Sequence, residues 1–215
     1  MNDMSSTAAL ARYAYVVDDD DGVRRSLEIL LRSARWSVEA FSSAADFADR
    51  ASDLDPGVLL LDLNLGGSSG LDLLEDGSVD MDRFAVVMIT GAAEIQTAVR
   101  SIKSGAVDFV EKPFAPGDLH DRLAEIHGQF EAALEGKAAR WDAKRRAEGL
   151  SARERDVLER LLSGASNKLI ARDLGLSPRT VEMHRARMLQ KLGVSTTNEA
   201  LEIGRLADLK AVSPS

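Results

Sequence analysis

Four apolar runs in this 215-residue chain each stop on polar groups that could do chemistry together. Tyr13–Val17 runs into Asp18-Asp19-Asp20-Asp21, and Gly57–Leu61 stops on Asp62. Phe84–Ile89 leads into Thr90-Gly91, and Ala106–Val110 into Glu111-Lys112-Pro113. Unbroken apolar runs of this length are the mark of strands buried on both faces of a parallel sheet. Open α/β sheets hold their ligands beyond the carboxyl ends of such strands. Any one strand-end aspartate is ordinarily a solvated turn residue, and a threonine before a glycine ordinarily marks a turn. Four such endings in chain order point instead to one shared site. Asp18, Asp19 and Asp62 would crowd negative charge there, and hard oxygen ligands in a partly open site favour Mg²⁺. Asp62 is then a candidate carboxylate nucleophile that forms an aspartyl phosphate. Lys112 would offset the phosphoryl charge, and Thr90 would hydrogen-bond one of its oxygens.

The elements that must position these groups alternate. Strands at 13–17, 37–41, 58–61, 84–89 and 107–110 are interleaved with helical patterns at 22–35, 44–52, 71–75 and 93–104 and one beginning near Gly117. In helix 93–104, Ile95, Ala98, Val99 and Ile102 form the expected buried stripe. Five β/α repeats predict an α/β, flavodoxin-like, doubly wound parallel sheet. Leu119, Leu123, Ile126, Phe130 and Ala133 then recur at steps of four and three, which suits a heptad seam or a fifth helix packed on the sheet. Gly128 and Gly136 weaken that helix, and Trp141 has no evident role. From Leu150 the strand pattern disappears, and helices are expected at 152–163, 167–174, 178–192 and 198–206. Ser151 with Glu154 makes a capping box. Ser177 caps a helix with Pro178 at its first position, and Gly175-Leu-Ser177 is the tight turn of a helix-turn-helix. The expected organisation is a disordered leader over 1–12, an α/β domain over 13–127, a linker, helical or irregular, over 128–149, an all-α domain over 150–209 and a tail over 210–215.

An apolar fraction of 45% with 29% charged residues is ordinary globular composition. The absence of cysteine excludes disulfides, thiolate metal sites and a cysteine nucleophile. With neither a signal segment nor a membrane-length apolar run, a cytoplasmic protein without a membrane partner is expected. Residues 1–121 carry 10 Lys/Arg against 22 Asp/Glu, whereas residues 150–215 carry 11 against 8. An acidic front and a mildly basic back imply different partners.

The strings VVDDDDGVRRSL, LLLDL, ITG and GAVDFVEKPF resemble the receiver domain of two-component response regulators, over roughly residues 13–125. The resemblance implies that Asp62 is the phosphoacceptor and that Asp18 and Asp19 hold Mg²⁺ with the backbone carbonyl of Asn64. It makes Thr90 and Phe109 the switch hydroxyl and switch aromatic, Lys112 the conserved-type lysine and Pro113 the residue after a cis peptide bond. The loop Asn64–Gly70 departs from the usual proline-containing pattern, and its paired glycines are expected to loosen the third metal ligand.

The segment from LSARERDVLERLL through SPRTVEMHRARMLQKLG resembles the LuxR-type helix-turn-helix in the arrangement found in FixJ-type regulators. A helical wheel over 178–192 puts Val181, Met188, Leu189 and Leu192 in the core. Arg179, Met183, Ala186, Arg187 and Gln190, with Glu182 at one flank, should enter the major groove of double-stranded DNA. Thr180, His184 and Lys191 suit phosphate contacts. For Arg185, a structural ion pair with Glu154 and a base contact stand equal.

Together these resemblances imply a transcription factor rather than an enzyme, phosphorylated by a sensor histidine kinase and dimerising on phosphorylation. At most it would lose its phosphoryl group slowly by itself. Its dimer face is expected on helix 93–104 and strand 107–110, with Arg100 pairing with Asp108 or Glu111 of a second chain. One rival keeps the fold but makes the receiver a phosphorylation-independent interaction module. Another is an aspartate-nucleophile phosphatase, which wants a second aspartate where this chain has Asn64.

Overall fold

The computed structural model describes residues 11–91 and 95–213. The expected leader, apart from residues 11 and 12, and the expected start of a helix at Ala93 lie outside them. The chain divides into two compact units, the first ending at Ala133 and the second starting at Leu134.

In the first unit, β1 (Tyr13–Val17), α1 (Asp21–Ser33), β2 (Ser37–Phe41), α2 (Ala44–Arg50) and β3 (Gly57–Asp62) follow in turn. A short hairpin, β4 (Asn64–Leu65) and β5 (Ser68–Ser69), leads to α3 (Gly70–Glu75). Then come β6 (Phe84–Thr90), α4 (Ile95–Lys103), β7 (Asp108–Glu111) and α5 (Pro116–Glu148). The five long strands form one parallel sheet in the order β2-β1-β3-β6-β7.

Alternation along the central strands divides the core. Tyr15, Val17, Leu59, Leu61, Phe84, Val86 and Met88 pack on one face with Phe47 of α2 and Leu71, Leu73 and Leu74 of α3. Ala14, Val16, Val58, Leu60, Ala85, Val87 and Ile89 pack on the other with Leu27 and Leu31 of α1 and Leu119 and Leu123 of α5. Burial on both faces explains why these strands read as unbroken apolar runs.

Two expectations change here. Val99 and Ile102 do not belong to a buried stripe on α4; they are 47% and 49% exposed, while Ser101 is fully buried. Apolar spacing marks a helix face that avoids water, but a face waiting for a partner carries the same spacing as one facing the core. The segment after Asp62 is not an open loop either: Asn64 pairs with Ser69 and Leu65 with Ser68. Gly70 closes it against β3, where an added Cβ would stand 2.1 Å from the Asp62 carbonyl oxygen.

The α5 helix is 33 residues long, and neither Gly128 nor Gly136 interrupts it. Leu119 and Leu123 are buried on the sheet, which realises the packed-helix alternative for that part of the stripe.

In the second unit, α6 (Ala152–Leu162), α7 (Asn167–Leu174), α8 (Pro178–Leu192) and α9 (Thr197–Leu206) enclose Val157, Leu158, Ile170, Val181, Met188, Leu192 and Ala200. The Ser151–Glu154 capping box is present, and Ser177 caps α8 by accepting from the Thr180 amide. The C-terminal part of α5 contributes Ala143 and Ala147, packed on Ala207. Among the described residues no helix is long and apolar enough to cross a membrane.

Candidate functional site

The run of four aspartates divides its labour at the end of β1. Asp20 caps α1, accepting from the Gly22 and Val23 amides at 2.7 and 3.0 Å, and Asp21 pairs with Arg24. The Arg24 guanidinium also donates to the Asp18 carbonyl at 2.5 Å. Asp18 and Asp19 remain for the site.

Register brings Asp18 to Asp62. Val17 lies level with Leu61, so the next residue of each strand reaches the same edge of the sheet. Both carboxylates are sequestered, Asp18 at 2% and Asp62 at 6% exposure. Lys112 follows β7 and reaches across β6 to them; its Nζ donates to Asp18 Oδ2 at 2.6 Å and to Asp62 Oδ1 at 2.7 Å. The remaining oxygens are held by the backbone: Asp20 N donates to Asp18 Oδ1 at 2.9 Å and Asn64 N to Asp62 Oδ2 at 2.8 Å. Burial works against the ammonium, but its hydrogen bonds to Asp18 and Asp62 outweigh it and hold the Lys112 pKa above 10.5. Lys112 is therefore charged at neutral pH.

The other expected site residues surround this triad. Thr90 is fully buried at the end of β6, and its carbonyl accepts from the Lys112 amide at 2.7 Å. Phe109 is half-buried against the core face that holds Tyr15 and Met88. The Lys112–Pro113 peptide is cis. Asp19 stays exposed, its carboxylate against Gly66, where an added Cβ would lie 3.2 Å from Oδ2. Asn64 is exposed on the hairpin.

A magnesium ion fits the chemistry of this donor set, although among the described residues no three acidic or histidine side chains already stand in a metal-binding cluster. Every donor is a hard oxygen. Two buried carboxylates face one ammonium, so the triad keeps a net charge of minus one, and Asp19 beside it adds another. The Lys112 ammonium is seated between Asp18 and Asp62.

A groove of about 480 Å³ opens beside the triad, lined by Val23, Leu27 and Leu30 of α1, by Pro113 and Phe114, and by Asp20 and Lys112.

The helix-turn-helix consists of α7, the Gly175–Ser177 turn and α8. Val181, Met188 and Leu192 are buried in its core, as the helical wheel predicts. Arg179, Glu182, Met183, Arg187 and Gln190 are exposed on the outer face. Thr180 shares a 2.8 Å hydrogen bond with Ser177, and His184 is half-buried. Two basic side chains are tied inward. The Lys191 ammonium lies 2.7 Å from Glu154, which is 3% exposed. Arg185 donates to Asn167 Oδ1 at 2.5 Å and to Thr197 Oγ1 at 2.6 Å. The partner of Glu154 is thus Lys191 rather than Arg185. The Ser151–Glu154 capping box was legible in the sequence, but nothing local indicated that Glu154 would be buried and need a cation.

On the expected dimer face, Arg100 chelates Glu75 of its own chain at 2.8 and 3.0 Å. Asp108 accepts from Arg122 at 2.8 Å, and Glu111 is exposed. Val99, Ile102 and Val107 stand out to solvent on the same elements.

Comparison with known proteins agrees with this architecture. Residues 14–124 match the response regulator receiver domain, and residues 148–203 match the bacterial regulatory proteins of the luxR family. The transcriptional regulatory protein FixJ of Azorhizobium caulinodans is 40% identical over 200 residues, spanning 93% of each chain. Among solved structures, the response regulator StyR superposes with a TM-score of 0.77 at 32% identity, covering 91% of this chain and 98% of its own. Full-length FixJ from B. japonicum gives 0.57 at 36% identity, covering 92% and 98%. A sheet edge carrying Asp18, Asp62 and Lys112, joined to a helix-turn-helix with an exposed polar α8, therefore places this chain in the FixJ-type two-component response regulators, DNA-binding regulators of transcription built from a receiver and a LuxR-type domain.

Proposed function

We propose that Asp62 accepts a phosphoryl group from a sensor histidine kinase in the cytoplasm, with Mg²⁺, and that this shifts the receiver to a state that dimerises and binds double-stranded DNA. The buried, charge-unbalanced triad of Asp18, Asp62 and Lys112 carries the reading. An Asp62 carboxylate oxygen attacks the phosphorus of a phosphohistidine. The new P–O bond forms as the P–N bond breaks, and the electron pair stays on the imidazole nitrogen. Asp18, Asp19, Asp62 and the Asn64 carbonyl would hold Mg²⁺, which would supply positive charge against the phosphoryl oxygens. Lys112, already 2.7 Å from Asp62 Oδ1, offsets the same charge from the protein side. The apolar groove on α1 beside Lys112 suits a helix of the kinase.

The same residues support a switch. Thr90 turns its hydroxyl to a phosphoryl oxygen, Phe109 moves into the space released, and the population shifts towards the dimerising conformation. Val99, Ile102 and Val107 supply the apolar surface for that dimer, and Arg100 and Asp108 exchange Glu75 and Arg122 for a second chain. Two copies of α8 then read half-sites about one helical turn apart.

The test is sedimentation of the full chain with and without acetyl phosphate. Wild type should dimerise on addition and Asp62→Asn should stay monomeric. Dimers of Asp62→Asn under the same conditions would favour a phosphorylation-independent interaction module.

A further inference from the structure

The second unit begins with a helical segment that the switch leaves unused. Leu134, Ala138 and Trp141 recur at steps of four and three on one face of α5. Trp141 is 67% exposed, one of the largest apolar side chains so displayed, and the Arg145 guanidinium stacks over its ring at 5.4 Å. Ala143 and Ala147 attach this stretch to Ala207 from the opposite face. The Trp141 stripe is therefore not what fastens the helix to its own domain.

Charges flank the stripe in a fixed pattern. Lys137 and Lys144 border one side, and Glu135 and Asp142 border the other. In heptad terms Leu134 and Trp141 take the d positions, Ala138 and Arg145 the a positions, the lysines g and the acids e. In a parallel pair, g of one helix meets the following e of its partner, which sets Lys137 against Asp142 in both directions. In an antiparallel pair the lysines would face lysines and the acids acids. Asp142 already accepts from Arg145 and Arg146 at 3.0 and 2.7 Å, and a carboxylate has lone pairs for one more donor.

We infer that residues 134–145 form a parallel two-stranded coiled coil with the same segment of a second copy, sealing Trp141 between the chains and setting the register of the two reading heads. Fewer than two heptads of seam bury far less surface than a stable interface needs and cannot hold two chains alone. The seam closes when another contact raises the effective concentration of the partner helix. It thus deepens the dimer reading above and rests on it for its timing, not for its geometry.

The chain has no cysteine, so one substitution introduces a unique thiol. Ala138→Cys lies in the seam and Ala139→Cys faces away from it, and both residues are exposed on the same helix. Oxidative crosslinking of the two full-length variants at equal concentration should be at least about tenfold faster for Ala138→Cys, because only that thiol meets its twin at the effective concentration of a paired helix. Adding Lys137→Glu should slow it several-fold, and adding Asp142→Lys to that variant should restore it. Equal rates for the two thiols, or no effect of the charge reversal, would overturn the seam. Preferential crosslinking that ignores beryllofluoride would keep the seam and count against the phosphorylation switch. Beryllofluoride-induced dimers with equal crosslinking rates would do the reverse.

Discussion

Each half of this molecule contains a lysine hydrogen-bonded to a buried carboxylate, and the two arrangements differ in stoichiometry. Lys191 meets one carboxylate, Glu154, at 2.7 Å. Lys112 meets two, Asp18 and Asp62, at 2.6 and 2.7 Å. The first pair is neutral and needs nothing more; it ties α8 to α6. The second keeps excess negative charge in a place from which water is largely excluded, a costly state unless a cation or a chemical change relieves it. In this chain a balanced buried charge is architecture, and an unbalanced one is equipment.

Removing each ammonium in turn should separate these roles. Lys191→Met leaves Glu154 buried without its cation and should cost the helix-turn-helix unit about 1.5 kcal/mol, the lower end for a hydrogen bond to a charged group because the lysine is itself 44% exposed, read as a fall in that unit's calorimetric midpoint. Lys112→Met removes the competitor for the acids, so Mg²⁺ affinity measured by titration calorimetry should rise about tenfold, or about 1.4 kcal/mol, while phosphoryl uptake falls. A Lys112→Met receiver that binds Mg²⁺ more weakly than wild type would break the comparison.

DNA affinity should sort the α8 cations by where they point. Arg179→Ala or Arg187→Ala should each weaken operator binding by about 1–3 kcal/mol and relax specificity. Arg185→Ala, whose guanidinium holds Asn167 and Thr197, should instead lower thermal stability and leave sequence preference intact. A mobility-shift titration over matched and mismatched fragments distinguishes them.

Acid should dismantle the two units in separate windows. Burial pushes the His127 pKa below its ordinary 6.5, despite Glu131 nearby, so the folded receiver resists a proton that the unfolded chain accepts. That stabilisation is complete above pH 6.5 and declines below it. Glu154 is buried, which alone would raise its pKa, yet hydrogen bonds from Lys191 and Ser151 lower it to about 2 from 4.5. Its contribution is complete above pH 4.5 and is lost as pH falls towards 2. Calorimetry across pH should show the receiver's midpoint softening first.

How legible each region was in the sequence depended on the range of its interactions. The central strands were readable because burial on both faces leaves no room for polar residues, and Asp62 was readable because it ends such a run. The α7–α8 turn was readable because Ser177, Pro178 and Gly175 act within a few residues. Long-range partners were not. The Lys191–Glu154 pair spans 37 residues and the Arg100–Glu75 pair 25, and helical spacing alone cannot say which cation meets which acid. The exposure of Val99 and Ile102 was hidden for a related reason, because helical spacing of apolar residues is the same whether the face is covered or open to solvent.

The most direct test of the account is mass spectrometry of the intact chain after incubation with acetyl phosphate, with and without Mg²⁺. One phosphoryl group per chain should appear only with the metal, map to Asp62 and be absent from Asp62→Asn. Uptake without Mg²⁺, or equal uptake by Asp62→Asn, would contradict it.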